Sequence, residues 1–575
     1  DPWRKWLGLL PVSLFEAEFR DKRFVLLNGS HGNFCLDLQG ADNEEDAPRN
    51  WAWSSNVGHY VSLVGDAVHI HRWDRSSSMI ERYTQKSVAG NLAKFYSYLE
   101  KEQPKPERSI VSHVTRVFRS LRNALGKETS GLQSLQAFLV LLACSVDKTA
   151  RENLSIGPWG LGSEALDVAG SVQGWDTFLR GLTDVRDSDG LRPEPVLLLR
   201  HAAGQLFQEA HYHAVVLPQM WLGVVMPDPV DLRKEADVVG AHFTPPAIVR
   251  TLVEEALFSC RDPLPSSMTI FDPACGSGEF LRESLRQLQM RGYSGTVNLV
   301  GWDISPIACA MANFVLSWEA RSYGGKVVKE IRNVDALSED SVWPEDADLV
   351  LMNPPFLSLE DLNPAQKDRV KAILGDLSGQ RDDYSSPFIL KAARSLRHRL
   401  GVLGTIMPAS FLDAKSTSRI RDEIASFMRP RIIARLGSHN LFPNALVDAA
   451  FYVGRSGDLE AEPPLALWAG YRHTSTSSAF RALRRLRYSG EGYISPDYDD
   501  NYSLYQNPTI GNADKQWSPR PYRTWNILQK LSGKTKAGSL FGIRQGVLTG
   551  CNRAFLLSKD ALDALISCFP AGTVS

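Results

Sequence analysis

The sequence predicts an α/β fold built around a mostly parallel sheet. Between residues 248 and 453, short apolar segments alternate with segments of helical periodicity, which is the pattern of parallel strands joined by crossover helices. A Gly-Ser-Gly turn at residues 276–278 follows the first strand and leads into a helical segment, so the backbone there can approach a ligand closely. The predicted strands are residues 268–271, 297–302, 348–352, 402–407 and 449–453.

This α/β region is expected to be one of four. Composition and periodicity assign residues 1–95 to a β-rich N-terminal domain and residues 96–230 to a helical domain. The α/β domain is assigned to residues 231–465. Residues 466–575 form a further region, in which Arg, Tyr, Ser, Pro and Asn become frequent.

Individual elements can be predicted in the first two regions. In the N-terminal region, Gly65-Asp66 joins strands at residues 60–64 and 68–73 into a hairpin. In the helical region, the apolar residues of 110–125 fall on one face of a helix that Gly126 ends. Further strands are predicted at residues 24–27 and 34–38, and further helices at 132–144 and 196–211.

Composition restricts the class of protein. The apolar run Ala137–Cys144 is far shorter than the roughly 20 residues that span a bilayer, so we expect a cytoplasmic protein without membrane contact. Seven cysteines show no Cys-x-x-Cys spacing, and no third ligand accompanies the His69/His71 or His211/His213 pair, so no metal site is expected. The net charge of −1 averages over local clusters, so nucleic-acid binding has to be argued locally.

Acidic residues end the strands that follow the turn. Ligands of open α/β sheets lie beyond the carboxyl ends of the strands, where this turn lies. Asp303 ends the next predicted strand, and it either binds the two hydroxyls of a ribose or caps the helix after Ser305. Asp335 ends the third strand–helix unit, and it is either an acceptor for an adenine amine or an ordinary loop acid.

The tetrapeptide Asn353-Pro354-Pro355-Phe356 directly follows another predicted strand. Two consecutive prolines at this place hold the chain rigid and are unusual for a sheet. An amine conjugated to an aromatic ring is a poor nucleophile. The side-chain oxygen of Asn353 and the carbonyl of Pro354 could accept its two hydrogens and draw the lone pair out of the ring, while Phe356 stacks on the base. The alternative is a strand-end turn with a buried phenylalanine.

These motifs resemble the amino-methyltransferase family, and more closely the adenine-N6 DNA methyltransferases of the γ arrangement found in type I modification subunits and type IIG enzymes. Residues 272–278 match the cofactor loop of that family. Residues 240–246 resemble its Tyr-Thr-Pro motif, with Phe243 in place of tyrosine. The alternative there is a helix start, with Thr244 as the cap and Pro245 in the first position.

Two later segments extend the resemblance. Residues 403–412 and 441–452 resemble the later strand motifs, and the second includes an aromatic that packs against the flipped base, for which Phe442 is preferred over Phe451. Residues 542–555 look like the start of a target-recognition domain, which favours DNA as the substrate. Little sequence follows, so that domain is expected to be incomplete and to be completed by further chain or by a partner.

The resemblance implies a Rossmann-like methyltransferase core that uses S-adenosyl-L-methionine. The implied cofactor-binding residues are Phe243, Thr244, Pro245, Asp272, Ala274, Cys275, Gly276, Ser277, Gly278, Asp303, Ile304, Asp335, Ala336 and Asn353. The implied catalytic residues are Asn353, Pro354, Pro355 and Phe356, and the implied substrate contacts are Phe356, Phe442, Arg544 and Gln545.

The implied reaction is methyl transfer to the N6 amine of adenine in double-stranded DNA after the base flips out of the duplex. The implied setting is a restriction-modification or phage-defence system, with double-stranded DNA and a nuclease, a helicase or ATPase, or a specificity subunit as partners. Two alternatives stay open. One is a methyltransferase that acts on RNA or on a protein amide, and the other is a DNA-binding subunit whose methyltransferase fold is idle.

Two smaller patterns complete the expectations. No nuclease centre of the Glu-x-Lys type can be assembled from the sequence, so cleavage is not expected. A group of arginines falls on a predicted helix and forms either a solvated face or a contact with phosphate. These are Arg481, Arg484, Arg485 and Arg487.

Overall fold

The computed structural model of the chain consists of two compact units, residues 1–522 and 523–575. The residues that the structure describes are 5, 7–15, 22–27, 33–38, 47–76, 78–126, 128–184, 190–215, 244–379, 383–437, 448–457, 463–472, 474–489, 501–513 and 517–531. None of the helices in this part of the chain has the length and apolarity that crossing a bilayer requires.

A six-stranded sheet lies at the N-terminal end of the described chain, in the order β1-β2-β3-β4-β5-β6. Its elements are β1 (Leu10–Ser13), β2 (Arg23–Leu27), β3 (Phe34–Asp37), α1 (Ala47–Ser54), β4 (His59–Val64), β5 (Ala67–Arg72) and β6 (Glu81–Thr84). Neighbouring strands are antiparallel except β3 and β4, which are parallel. The predicted hairpin is confirmed, and Gly65 turns the chain there with a φ of +55°.

Helices follow this sheet. They are α2 (Gln85–Gly90), α3 (Leu92–Lys101), α4 (Ile110–Leu125), α5 (Gly131–Asp147), α6 (Ser163–Gly170), α7 (Trp175–Thr183), α8 (Pro195–His201) and α9 (Ala203–Val215). The amphipathic helix α4 is confirmed, with the side chain of Ser109 as its N-cap and Gly126 at its end. The predicted helix at residues 196–211 is in fact two helices, because the backbone leaves the helical conformation at Ala202.

The remaining elements belong to the α/β region and to the chain after it. They are α10 (Pro246–Ser259), β7 (Ser267–Asp272), α11 (Glu279–Met290), β8 (Thr296–Asp303), α12 (Pro306–Ala320), β9 (Val327–Asn333), β10 (Leu349–Met352), α13 (Pro364–Leu374), α14 (Ser385–Ser395), β11 (Val402–Pro408), α15 (Ser418–Phe427), β12 (Met428–Leu436), β13 (Ala449–Ser456), β14 (Leu465–Ala469), α16 (Ser475–Ser489), β15 (Tyr502–Gln506) and α17 (Tyr522–Lys530).

The described strands of this region form a nine-stranded sheet in the order β15-β14-β12-β13-β11-β10-β7-β8-β9. Strand β13 is antiparallel to β11 and β12, and β15 is antiparallel to β14, while the other neighbours are parallel. The predicted α/β fold with a mostly parallel sheet is therefore confirmed. The sheet continues past residue 465, the predicted end of the α/β domain, to Gln506. The four predicted domain bounds stay a prediction.

The strand order creates a switch point between β7 and β10. The chain starts at β7, runs outward through β8 to β9, and then returns to β10 on the other side of β7. Because the connections leave β7 and β10 in opposite directions, a crevice opens beyond the carboxyl ends of these two strands. The two sequence motifs, the Gly-rich turn and the Asn-Pro-Pro-Phe segment, follow directly after β7 and β10.

The arginines of α16 contact helix α10. Arg484 is buried, and its guanidinium donates to Glu254 Oε2 at 3.0 Å and to Thr251 Oγ1 at 2.6 Å. Arg487 donates to Glu255 Oε2 at 2.6 Å. Both interpretations of the arginine group, a solvated face and a phosphate contact, are therefore wrong for Arg484 and Arg487, because carboxylates within the protein already neutralise their charges.

Candidate active site at the switch point

The turn between β7 and α11 combines an open face with a packed face. Gly276 and Gly278 have φ values of +53° and +84°, which side chains other than glycine rarely adopt. A Cβ atom on Gly276 would meet no atom within 4 Å, so the space beside its Cα is open. A Cβ atom on Gly278 would lie 3.3 Å from the Cβ atom of Ala312, so this glycine lets α11 pack closely on α12. The turn therefore offers backbone to a ligand on one side only.

Two carboxylates lie beside the turn. Asp272 is fully buried at the end of β7, where its Oδ1 accepts a hydrogen bond from Ala274 N at 3.0 Å. Its Oδ2 is buried and has no hydrogen-bond donor among the described residues. Asp303, at the end of β8, accepts from Gly276 N at 2.9 Å and from Ser305 N at 2.8 Å. The carboxylate of Asp303 therefore fixes the turn from the neighbouring strand.

The electrostatics of these carboxylates favour a cationic ligand. Burial raises the pKa of the Asp272 carboxyl well above its usual range, and repulsion from Asp303 adds to the effect. Burial also raises the pKa of Asp303. Within the described chain, no Lys or Arg side chain forms an ion pair with either group or lowers its pKa. A cation bound in the crevice would therefore be attracted to both carboxylates and would lower their pKa values.

The third acid, Asp335, is already engaged. Its Oδ1 accepts from Leu337 N at 3.0 Å, and its other oxygen forms an ion pair with Arg369. Each carboxylate oxygen keeps a further lone pair, so one more donor could still bind there. The carbonyl of Ala336 accepts from Lys391 Nζ at 3.0 Å. Ile304, the residue after Asp303, has an apolar side chain that is 71% exposed.

Asn353 is held with its oxygen unsatisfied. Its Nδ2 donates to the hydroxyl Oγ1 of Thr244 at 2.9 Å, while its Oδ1 is buried and has no donor among the described residues. The alternative interpretation, a helix start, is right about the helix and wrong about its cap, because helix α10 has Pro245 as its N-cap residue and Pro246 as its first residue. The Thr244 hydroxyl binds Asn353 instead of the helix backbone.

The residues after Asn353 are also fixed. Pro354 is buried, and Phe356 is partly buried against the hydrophobic core. The next residue, Leu357, accepts a hydrogen bond at its carbonyl from Tyr384 N at 2.9 Å. Because β7 and β10 are adjacent and parallel, Asp272 and Asn353 lie at the ends of neighbouring strands. The crevice therefore has the turn on one side and the Asn353 oxygen on the other.

Several predicted residues lie outside the described part of the chain. These are Phe243, Phe442, Arg544 and Gln545, together with the whole segment 542–555. The alternative to Phe442, Phe451, lies in β13, is fully buried and packs 6.2 Å from Phe480 between ring centroids. Phe451 therefore has no surface available to a base.

One contact with the site was not predicted. His211, in α9, lies with its Nε2 3.3 Å from Ser305 Oγ, and Ser305 caps helix α12 next to Asp303. Burial lowers the pKa of His211 to about 4, so the ring is neutral at neutral pH. The helical region therefore reaches the loop that carries Asp303, and no local sequence pattern indicates a contact across 94 residues.

A family model matches the segment that contains this site, and two curated proteins are similar to part of the chain. The model of the family described as N-6 DNA Methylase matches residues 232–453. The Type II methyltransferase M.VspI from Vibrio sp. (strain 343) is 26% identical over 182 residues, which are 32% of this chain and 40% of that protein. The methylase subunit of the Type I restriction enzyme MjaIX from Methanocaldococcus jannaschii is 29% identical over 144 residues, which are 25% of this chain and 24% of that protein.

The chain thus spans less than half the length of either curated relative. Among solved structures, a complex of DrdV with DNA aligns with a TM-score of 0.46 and 15% identity, over 86% of this chain and 56% of that chain. The family match includes both the Gly-rich turn and the Asn353–Phe356 segment. The segment that carries both motifs, residues 232–453, is therefore similar to the N-6 DNA Methylase family.

Proposed function

We propose that this protein transfers a methyl group from S-adenosyl-L-methionine to the N6 amine of adenine in double-stranded DNA. The observation that carries the proposal is the Asn353 side chain, whose buried oxygen has no donor among the described residues and lies at the switch point of the sheet. A buried acceptor without a partner costs free energy, so such a group is expected to have a ligand. An exocyclic amine supplies the donor that this oxygen lacks.

The crevice suits the proposed cofactor. S-adenosyl-L-methionine would supply an electrophilic methyl group on a sulfonium sulfur, and it carries a second positive charge on its ammonium group. Asp272 and Asp303 provide two carboxylates that have no Lys or Arg ion-pair partner among the described residues. The open side of Gly276 leaves room for the ligand beside the turn, and the exposed Ile304 offers an apolar surface for an adenine ring. In the proposed complex Asp303 binds the ribose hydroxyls.

The protein's own residues would act on the amine by position alone. The Oδ1 atom of Asn353 and the carbonyl of Pro354 accept the two hydrogens of the amine and turn its lone pair toward the methyl group. The two prolines after Asn353 hold these acceptors in place, so little reorganisation is needed when the substrate binds. Phe356 stacks on the flipped base, and Phe442, Arg544 and Gln545 stay predicted contacts with the DNA.

The proposed setting is a restriction-modification or phage-defence system in the cytoplasm. Two curated relatives are named as a Type II methyltransferase and as the methylase subunit of a Type I restriction enzyme, which supports this setting. Double-stranded DNA is the proposed substrate, and a nuclease, a helicase or ATPase, or a specificity subunit is the proposed protein partner.

The test is incubation with labelled S-adenosyl-L-methionine and unmethylated genomic DNA, followed by nucleoside analysis. We expect label in N6-methyladenine. The Asn353→Ala variant should lose at least about 100-fold in rate, as when a single fixed polar contact to a reacting group is removed, while it keeps its affinity for the cofactor. The control is Asn123→Ala, which changes an exposed asparagine of α4 and should leave the rate unchanged.

The outcome separates the proposal from its rivals. Label in protein or RNA but not in DNA would identify a different substrate. Cofactor binding without any transfer would indicate an idle fold or a missing recognition partner. Full activity in Asn353→Ala would contradict the assigned role of the carboxamide.

A further inference from the structure

We infer that the hydroxyl group of Thr244 positions the Asn353 carboxamide for catalysis, an inference that rests on the proposed function. A carboxamide presents an acceptor oxygen on one side and a donor nitrogen on the other, and rotation about its last side-chain bond exchanges them. Only the oxygen is useful to an incoming amine. In the structure the nitrogen is bound to Thr244 Oγ1 at 2.9 Å, and the buried oxygen is the end without a protein donor among the described residues.

Both partners of this hydrogen bond have rigid backbones. Thr244 is followed by Pro245-Pro246, and Asn353 is followed by Pro354-Pro355. A residue before proline is restricted to extended conformations, and each proline ring fixes its own φ. The hydrogen bond therefore joins two stiff segments that lie 109 residues apart in the chain. Such a contact can fix the direction of a side chain with little loss of conformational entropy, because little freedom is left to lose.

Helix α10, which begins directly after Thr244 and Pro245, is itself firmly anchored. Twelve of its fourteen residues are buried. Its Glu254 and Glu255 bind Arg484 and Arg487 of α16, with the Arg484–Glu254 pair buried on both sides. Burial and these ion pairs therefore hold α10, the helix that begins after Thr244 and Pro245, in the body of the protein.

Thr244 is not needed as a helix cap. Its side chain does not cap α10, because the N-cap residue is Pro245 and no side chain caps this helix. Its described hydrogen bond goes to the Asn353 nitrogen. Without that partner the carboxamide would be free to turn, and the oxygen would spend part of its time away from the amine.

The test compares two substitutions at one position. Thr244→Val removes the hydroxyl and keeps the shape of the side chain, whereas Thr244→Ser keeps the hydroxyl. Methyl transfer to genomic DNA gives kcat and KM, and calorimetric titration with S-adenosyl-L-homocysteine gives the affinity for the cofactor. A misaligned contact of this kind is expected to lower kcat roughly 10- to 100-fold in Thr244→Val. The fall in kcat should exceed any loss of affinity for the cofactor product, and Thr244→Ser should recover most of the rate.

A second measurement tests the hydrogen bond between Thr244 and Asn353 through protein stability, independently of enzyme activity. The thermal unfolding midpoints of Thr244→Val, Asn353→Ala and the double variant are compared with that of the wild-type chain. Residues joined by a hydrogen bond give changes that are not additive, whereas independent residues give changes that add. Thr149→Val, in the loop after α5, serves as the matched control and should combine additively with Asn353→Ala.

Each result decides the matter. Wild-type kcat in Thr244→Val, or an equal loss in Thr244→Ser, would overturn the inference, and so would a loss that arises entirely from weaker cofactor binding. If the wild-type protein transfers no methyl group, the proposed function fails, and the unfolding comparison alone decides the contact. Additive midpoints would then refute it, and non-additive midpoints would support it.

Discussion

Glu319 of α12 is shared by two arginines of the neighbouring helix α11, and its replacement by glutamine tests how the crevice is supported. Its carboxylate accepts from Arg286 Nε at 2.7 Å and from Arg282 Nε at 3.2 Å, and all three side chains are buried. The same arginines donate to the carbonyl of Arg200 at the end of α8, at 2.6 and 2.7 Å. Glutamine keeps the shape and removes the charge, so the buried Arg286 loses its ion pair with Glu319 and Arg282 keeps only its pair with Glu279.

The expected loss follows from the proton affinity of the carboxyl group. Burial alone would raise the pKa of Glu319, but the charges of Arg286 and Arg282 outweigh burial and lower it from 4.5 to about 2. One pH unit corresponds to about 1.4 kcal/mol, so this change amounts to about 3 kcal/mol of stability at neutral pH. Breaking a buried ion pair by removing one partner typically costs about 3–5 kcal/mol. Both routes lead to a loss of about 3 kcal/mol for Glu319→Gln.

Urea unfolding followed by tryptophan fluorescence measures this loss, and pH gives it a signature. Because the folded pKa lies below the unfolded one, the contribution of Glu319 is fully present above pH 4.5 and disappears as the pH falls toward 2. The difference between wild type and variant should therefore shrink across that range. Glu423→Gln is the control, since its pair with Arg394 is partly exposed to solvent and should contribute less than about 1 kcal/mol. A loss of unfolding free energy below about 1 kcal/mol for Glu319→Gln, or a loss that does not change with pH, would refute the reasoning.

Two further outcomes are expected at the turn. Gly278→Ala should lower the free energy of unfolding in urea by about 1–2 kcal/mol, because φ is +84° and the new Cβ atom would lie 3.3 Å from that of Ala312. The control is Gly170→Ala at the end of α6, where a Cβ atom meets no neighbour and no change in stability is expected. Equal stabilities of the two variants would contradict the packing argument. Affinity for S-adenosyl-L-methionine should fall as the pH is lowered through the raised pKa values of Asp272 and Asp303, since the ionised carboxylates attract the cation and the ionised Asp303 is the better acceptor for the ribose hydroxyls. Calorimetry should find this fall at a higher pH than an ordinary aspartate would give. Asp303→Asn should weaken binding and flatten that pH dependence, and an unchanged profile would show that this carboxylate does not meet the ligand.

The strands that could be predicted are those buried at the centre of the sheet. Strands β7, β8, β10, β11 and β13 are short apolar runs, so their composition alone identifies them. Strand β9 was not predicted, because it lies at the sheet edge and carries exposed charges such as Glu330 and Arg332. Strand β12 contains Pro430, which normally argues against a central strand. The pairing with β13 shifts its register between Pro430 and Ile432, and this irregularity accommodates the proline.

In the candidate site, too, the features that lie in one stretch of sequence could be predicted, and the contacts between distant residues could not. The turn at residues 272–278 and the segment Asn353–Phe356 are contiguous, so residue order alone indicates what their backbones can do. The contact of Asn353 with Thr244 spans 109 residues, and that of Arg484 with Glu254 spans 230. A charge pattern on one helix does not reveal which carboxylate it meets, and for that reason the arginines of α16 were assigned to solvent or phosphate.

The network of buried charges bears on how far this protein can be divided into parts. The boundaries of the matched segment, residues 232–453, pass through that network. The carboxylates of α10 lie inside the segment and their arginines, in α16, lie outside it. The arginines of α11 lie inside and their carbonyl acceptors, in α8, lie outside. Excision or domain exchange at those boundaries would separate buried charged groups of both signs from their partners. A segment that can be moved intact by recombination is therefore longer than residues 232–453.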